Sequence, residues 1–146
     1  MRSCDEEGKR SNRLNEVQGD GASPAAKIQQ SVVSEIAREM VRLYKDQFGR
    51  GPTKAKVNFA GPDIVICTLE NSLTPVEHRL AALGEDQRLR DTRSYFQHVT
   101  RDQFCAVIEQ ALGRQVRAFV SGLDTKVDVA SEVFYLRPQA SSDGTA

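Results

Sequence analysis

A long amphipathic helix that runs directly into a turn and a strand constrains the fold of this chain most. Ser23 and Pro24 have the residue types of a helix N-cap and a first helical position. Large apolar side chains then recur at helical spacing, and charged side chains occupy the opposite face. Gly49 and Pro52 end the pattern, since glycine favours a left-handed cap and proline lacks an N–H. We therefore expect a helix from about Pro24 to Gly49 whose apolar stripe packs against a core.

Two pairs of strand-like segments follow at different places in the chain. Apolar residues alternate with polar ones from Lys54 to Phe59, and Ile64 to Leu69 is continuously apolar or small. A Gly-Pro-Asp turn joins them, so the pair predicts a hairpin. Val116 to Val120 and Val129 to Leu136 predict a second hairpin, joined by a polar loop.

The segment between the two hairpins predicts helices. Thr74, Pro75 and Glu77 form the pattern of a capping box with proline at the first helical position, so a short helix runs to about Leu83. A longer helix ends at Gly113. Its expected inward residues are Leu89, Phe96, Phe104, Val107, Ile108, Ala111 and Leu112.

The predicted order of elements is α-β-β-α-α-β-β. This order favours a single α+β domain with a mainly antiparallel four-stranded sheet packed with helices. The long second helical region also has apolar surface at Tyr95, Phe96, Val99 and Phe104, more than one sheet face needs. We therefore predict a homodimer.

Composition sets the domain bounds and the class of protein. Of the 146 residues, 1–23 and 139–146 are poor in apolar side chains, which predicts a disordered N-terminal arm and tail around a folded domain at 24–138. No apolar run reaches the roughly 18 residues of a membrane span, and no signal region is evident, so we expect a cytoplasmic, soluble protein without direct membrane insertion. Three widely spaced cysteines indicate a reducing compartment. A pI near 6.7 argues against nucleic-acid binding.

The turn between the first helix and the first strand is the candidate binding site. Five basic residues and one acid lie between positions 42 and 56, although the whole chain has a formal net charge of zero. Its candidate contact residues are Arg50, Gly51, Thr53, Lys54 and Lys56. Glycine N–H groups and nearby cations could bind an anion or an acidic partner. The alternative is a purely structural turn, because the helix C-terminus repels anions and no phosphate-loop spacing is present.

Other groups that could carry chemistry give weaker signals. The loop from Ser121 to Asp128 offers oxygen ligands but lacks calcium-loop spacing, so we expect its Asp side chains to stabilise a turn. His78 and His98 have no third ligand nearby, and Cys67 and Cys105 are expected to be inert core thiols. No catalytic constellation is recognisable. We expect a non-enzymatic protein with no catalytic residues, no metal and no cofactor.

Four blocks of this sequence resemble the MpsC-type family, in the family's order. They are Leu43 to Val57, Glu70 to Glu77, Gly113 to Ser121, and Asp128 to Leu136. The resemblance implies a small accessory or regulatory protein of an ion-translocating membrane system linked to membrane potential and inorganic-carbon uptake. It implies membrane transporter subunits as partners, with a cytoplasmic protein held at the inner membrane through them. It supplies no catalytic residues.

Two further functions remain open from the residues alone. One is a sensor that binds a small anion or a nucleotide at the Arg50–Lys56 turn. The other is a single-stranded RNA binder that uses the sheet face, which the absence of a recognisable RNA-binding motif disfavours.

Overall fold

A computed structural model describes Gly21 and residues 23–140 of the chain. The first helix, α1, spans Pro24–Phe48, as its capping residues predict. The Ser23 hydroxyl accepts a hydrogen bond from the Ala26 N–H, and Gly49 adopts a left-handed conformation with φ 78°. The predicted disorder of the arm and of the last residues falls almost entirely on positions outside the described ones.

Four antiparallel strands form one open sheet, which confirms the predicted α+β class. Strands β1 (Lys54–Phe59) and β2 (Ile64–Glu70) form the first hairpin, and β3 (Val116–Asp124) and β4 (Val129–Leu136) form the second. The spatial order is β1-β2-β4-β3, so β2 pairs with β4 and joins the two hairpins at the centre.

The second hairpin is longer than its sequence pattern predicts. Strand β3 continues to Asp124 instead of ending at Val120. The Asp124 carboxylate then accepts hydrogen bonds from the N–H groups of Lys126 and Val127, at 2.9 and 3.1 Å. These bonds lower its pKa, and they confirm that this aspartate stabilises the turn through local backbone contacts.

Three helices connect the hairpins: α2 (Pro75–Ala82), α3 (Asp86–Val99) and α4 (Arg101–Leu112). The capping box at the start of α2 is present in full. The prediction of one long helix was wrong at Thr100, where the helix is interrupted and α3 is separated from α4. The Thr100 hydroxyl donates to the Phe96 carbonyl at 2.6 Å, and a side chain bonded in this way commonly bends or interrupts a helix.

The break at Thr100 also changes which aromatic side chains are buried. Phe104 is fully buried, as predicted, whereas Phe96 was predicted inward but is 42% exposed. Tyr95 and Val99 are exposed beside it. The predicted homodimer surface on this helix is therefore reduced to these three exposed residues, without Phe104.

The core lies between one face of the sheet and helices α1 and α4. Along β2 and β4 every second residue is buried in this core, so the intervening residues lie on the other face. The core residues from the helices are Ile36, Met40, Leu43, Tyr44, Phe104 and Ile108. We call the second face the open face. Its central strands carry Ile64, Ile66, Val133 and Tyr135, the edge strand β3 carries Val120, and the opposite edge strand β1 carries Lys54 and Lys56.

Candidate functional site

The predicted basic turn is tightly packed against the helix before it. A Cβ atom added at Gly51 would lie 3.1 Å from both the Val41 carbonyl oxygen and a Val41 methyl carbon, so only glycine fits without a shift. Pro52 is buried. Arg50 is half-buried, and its Nε has no hydrogen-bond partner among the described residues. Packing therefore explains why residue 51 is glycine, which agrees with the alternative that the turn is purely structural.

The end of the turn is bonded to the segment that follows β2. The Thr53 N–H donates to the Glu70 carbonyl at 3.0 Å, and the Asn71 side-chain amide donates to the Thr53 hydroxyl at 3.2 Å. Lys54 Nζ lies 3.9 Å from a Glu70 carboxylate oxygen. The Lys54 side chain is largely exposed and that of Glu70 is partly exposed, so this ion pair adds little stability.

Lys54 and Lys56 lie on the open face, on the edge strand β1. Lys54 lines two depressions, and Lys56 lines one of them. The depression of about 510 Å³ also brings His78 and Lys126 to the same place as Lys54. The sequence did not predict that these two residues join the basic turn, because they come from α2 and from the β3–β4 turn.

A buried polar cluster on the other face of the sheet was missed by the sequence reasoning. Glu132 of β4 is fully buried. Its Oε1 atom accepts hydrogen bonds from the Tyr44 hydroxyl and from the Gln97 side-chain amide, the latter at 2.7 Å. Burial raises the pKa of Glu132 from 4.5 to about 7, although the bond from Tyr44, the nearby Ser121 hydroxyl and the nearby Arg93 charge act in the opposite direction.

A second part of the cluster joins helices α2 and α3. Arg93 is 3% exposed and forms a bidentate ion pair with Glu77. Its Nε and Nη2 atoms donate to the two carboxylate oxygens at 2.6 and 2.7 Å. The same guanidinium donates to the Ser72 carbonyl at 3.0 Å and stacks 3.8 Å from the centre of the Phe48 ring. Although partial burial of Glu77 raises its pKa, bonds from Arg93 and Thr74 outweigh it and hold the pKa below its usual value.

Asp128 holds the second hairpin against the segment before α2. Its carboxylate accepts hydrogen bonds from the N–H groups of Ser72 and Leu73, at 3.0 to 3.3 Å. The Asn71 N–H donates to the Asp128 carbonyl at 2.9 Å, and both residues adopt positive φ angles. This aspartate therefore has a structural role at a buried junction.

The sequence held a usable signal for this cluster. Glu132 stands at an inward position of β4, between the buried Ala130 and Phe134. Arg93 and Gln97 follow Leu89 at four-residue steps, in the inward stripe of α3. An ionisable residue at a core position of a strand, with polar residues in the stripe of a helix, indicates a buried polar network.

The blocks whose residues resemble the MpsC-type family supply most of this cluster, through Tyr44, Glu77, Asp128 and Glu132. A comparison with protein families matches residues 29–138 to the family described as MpsC, the Na+-translocating membrane potential-generating system. The chain belongs to the MpsC family. No curated protein and no solved structure shows detectable similarity to it. Among the described residues, no helix of this chain is both long and apolar enough to cross a bilayer.

The packing at Gly51 predicts that alanine there destabilises the protein. Gly51→Ala should lower the free energy of unfolding by about 1–3 kcal/mol, because the new methyl group crowds Val41. Gly122→Ala is the matched control, since a Cβ atom at Gly122 meets no atom within 4 Å. Urea denaturation of both variants checks this. Equal stabilities would show that Gly51 is not held by packing.

The burial of Glu132 predicts a specific dependence of stability on pH. The folded state holds the Glu132 proton up to a pKa of about 7, whereas the unfolded chain releases it near 4.5. The stabilisation is therefore complete below pH 4.5 and is lost as pH rises to about 7, by up to about 3 kcal/mol. Glu132→Gln cannot ionise, so its free energy of unfolding should decline less across this window.

Urea denaturation of the wild type and Glu132→Gln at several pH values between 4.5 and 7.5 tests this dependence. Glu77 does not complicate the interpretation. Its pKa is lowered in the folded protein, so its own effect on stability falls at lower pH. Parallel curves for the two proteins would contradict the buried, protonated state of Glu132.

Proposed function

We propose that this protein is a non-enzymatic accessory or regulatory protein of a Na+-translocating, membrane-potential-generating system. The observation that carries the proposal is the family match, which spans residues 29–138 and so includes all four strands and most of the helices. The protein would act in the cytoplasm and reach the inner membrane by binding a transporter subunit. An inorganic-carbon uptake complex is one form that this membrane system could take.

The proposed contact surface is the Arg50–Lys56 turn together with the adjoining edge of the open face. Lys54 and Lys56 are exposed and point to the same side of β1. Directly across from them on that face lie Glu70 and Thr68 of β2, and the apolar residues of β2 and β4, including Ile66 and Val133, follow further along these strands. A surface with an apolar centre and a basic edge suits a partner segment that is apolar and acidic.

The positive charge of this surface also limits which segments of a membrane protein could be its partner. Short cytoplasmic loops of membrane proteins are rich in Lys and Arg, so they would repel Lys54 and Lys56. The expected partner is therefore an acidic tail or a cytoplasmic domain of a transporter subunit.

An affinity pull-down with the membrane subunits of a Na+-translocating, membrane-potential-generating system from the same organism tests the proposal. Membranes that contain the subunits should retain the wild-type protein, and the Arg50→Ala, Lys54→Ala, Lys56→Ala triple variant should lose about tenfold or more of that binding. Lys27→Ala with Arg38→Ala is the control, because both residues are exposed on α1, away from the turn. No retention of the wild type, or equal retention of the triple variant, would contradict the proposal.

The second candidate function is a sensor that binds a small anion or a nucleotide at the same turn. The grouping of Lys54, Lys126 and His78 around one depression favours it. Glu70 and Asp128 line the same depression and oppose it. A melting-temperature screen separates the two functions, since a ligand that binds only the folded state raises the melting temperature without any membrane subunit.

A further inference from the structure

A small cavity that is open to solvent lies at the helix-covered side of the sheet, distinct from the basic turn. Its volume is about 180 Å³. The lining residues come from α3, α4 and β3: Ser94, Gln97, His98, Arg101, Phe119 and Ser121. The lining thus combines one aromatic ring with a guanidinium, an imidazole, an amide and two hydroxyl groups.

Glu132 lies directly behind two of these lining residues. The Gln97 amide donates to it at 2.7 Å, and Ser121 is its cross-strand partner in the β3–β4 register. Ser121 is also close enough to lower the pKa of Glu132, although no hydrogen bond of ordinary geometry reaches the buried Oε2 atom. Oε2 is therefore a buried polar atom without a partner among the described residues.

The bonds to Oε1 decide where a proton on Glu132 would reside. Oε1 already accepts from the Gln97 amide, which can only donate, and from the Tyr44 hydroxyl. With Tyr44 donating, the neutral carboxylic acid carries its proton on Oε2, where it is a buried donor without an acceptor among the described residues. Such a donor is costly to leave unpaired, and an acceptor oxygen in the cavity, reached through the Ser121 hydroxyl, would satisfy it.

The charges at the cavity indicate the kind of molecule that would supply this oxygen. Arg101 carries a positive charge, and the His98 imidazole offers a ring N–H donor. The cavity is open to solvent, and its volume of about 180 Å³ suits a molecule of only a few non-hydrogen atoms. The Phe119 ring offers an apolar surface for a short carbon chain.

We propose that this cavity binds a small carboxylate between Arg101, His98 and Ser121, and that Glu132 takes up a proton from solvent when the anion binds. The carboxylate of the ligand accepts hydrogen bonds from the guanidinium and from Ser121, and Ser121 accepts from Glu132 Oε2. The other groups that face Glu132 are Tyr44 of α1, Arg93 of α3 and Cys67 of β2. The Arg93 charge is already paired with Glu77, and burial raises the pKa of Cys67 to about 12, so neither competes for this proton near neutral pH.

Coupled proton uptake makes the affinity depend on pH. Since the bound state needs protonated Glu132, affinity should fall as pH rises through about 7 and above. The variant Glu132→Gln tests this coupling, because glutamine does not titrate.

Sodium acetate is the probe, followed by amide NMR spectra of the full chain, with sodium chloride at equal ionic strength as the reference. Acetate should cause saturable shifts in the segments 94–101 and 119–121. Arg101→Ala should weaken binding by about tenfold or more, through loss of a charged hydrogen bond. Arg88→Ala is the matched control, being an exposed arginine of α3 outside the cavity lining, and should bind as the wild type. Glu132→Gln should still bind at pH 6 but lose most of the decline between pH 6 and 8.

Three results would overturn the proposal. One is the absence of saturable shifts in a folded wild-type protein. Another is equal binding by Arg101→Ala and Arg88→Ala, which would mean an adventitious surface ion only. The third is an unchanged pH dependence in Glu132→Gln, which would remove Glu132 from the site. All three leave the membrane-partner proposal intact, since that proposal rests on Arg50, Lys54 and Lys56.

Discussion

The hydrogen-bonded carboxyl group of Glu132 is the interaction on which the packing of this fold depends. A carboxyl group can remain in an apolar core only if its oxygens find partners or it stays protonated. Here Tyr44 from α1 and Gln97 from α3 both donate to one oxygen of a strand residue at the centre of the sheet. Those bonds fix two helices relative to β4. The position of α3 in turn places Arg93 against Glu77, and so positions α2.

The sheet separates two proposed binding surfaces, one for a membrane subunit and one for a small carboxylate. Lys54 and Lys56 lie on the open face, together with apolar rows that no described helix covers. Glu132 and the small cavity beside Ser121 lie on the helix-covered side. A ligand in the cavity would contact α3, α4 and β3 without touching the basic turn. Strand β4 contributes residues to both faces, so the two proposed binding surfaces share this strand.

Local signals in the sequence predicted most of the fold. The capping residues of α1 and α2 and the alternation in the strands are short-range patterns, and they placed these elements closely. The break at Thr100 was missed because it depends on a side-chain bond to the backbone that leaves little trace in apolar periodicity. The basic turn was located, but the arrival of His78 and Lys126 beside Lys54 depends on tertiary contacts. The burial of Glu132 was not predicted, although the alternation of residues along β4 indicates that its side chain faces the core.

A carbon-13 NMR titration of the Glu132 side-chain carboxyl group tests the central claim most directly. Spectra of the wild type and of Glu132→Gln identify the resonance. This carboxyl group should titrate with a pKa of about 7 in the folded protein, because burial outweighs the bond from Tyr44, the nearby Ser121 hydroxyl and the Arg93 charge. A pKa at or below the ordinary glutamate value of about 4.3 would contradict it, because Glu132 would then be an ordinary ionised side chain at neutral pH.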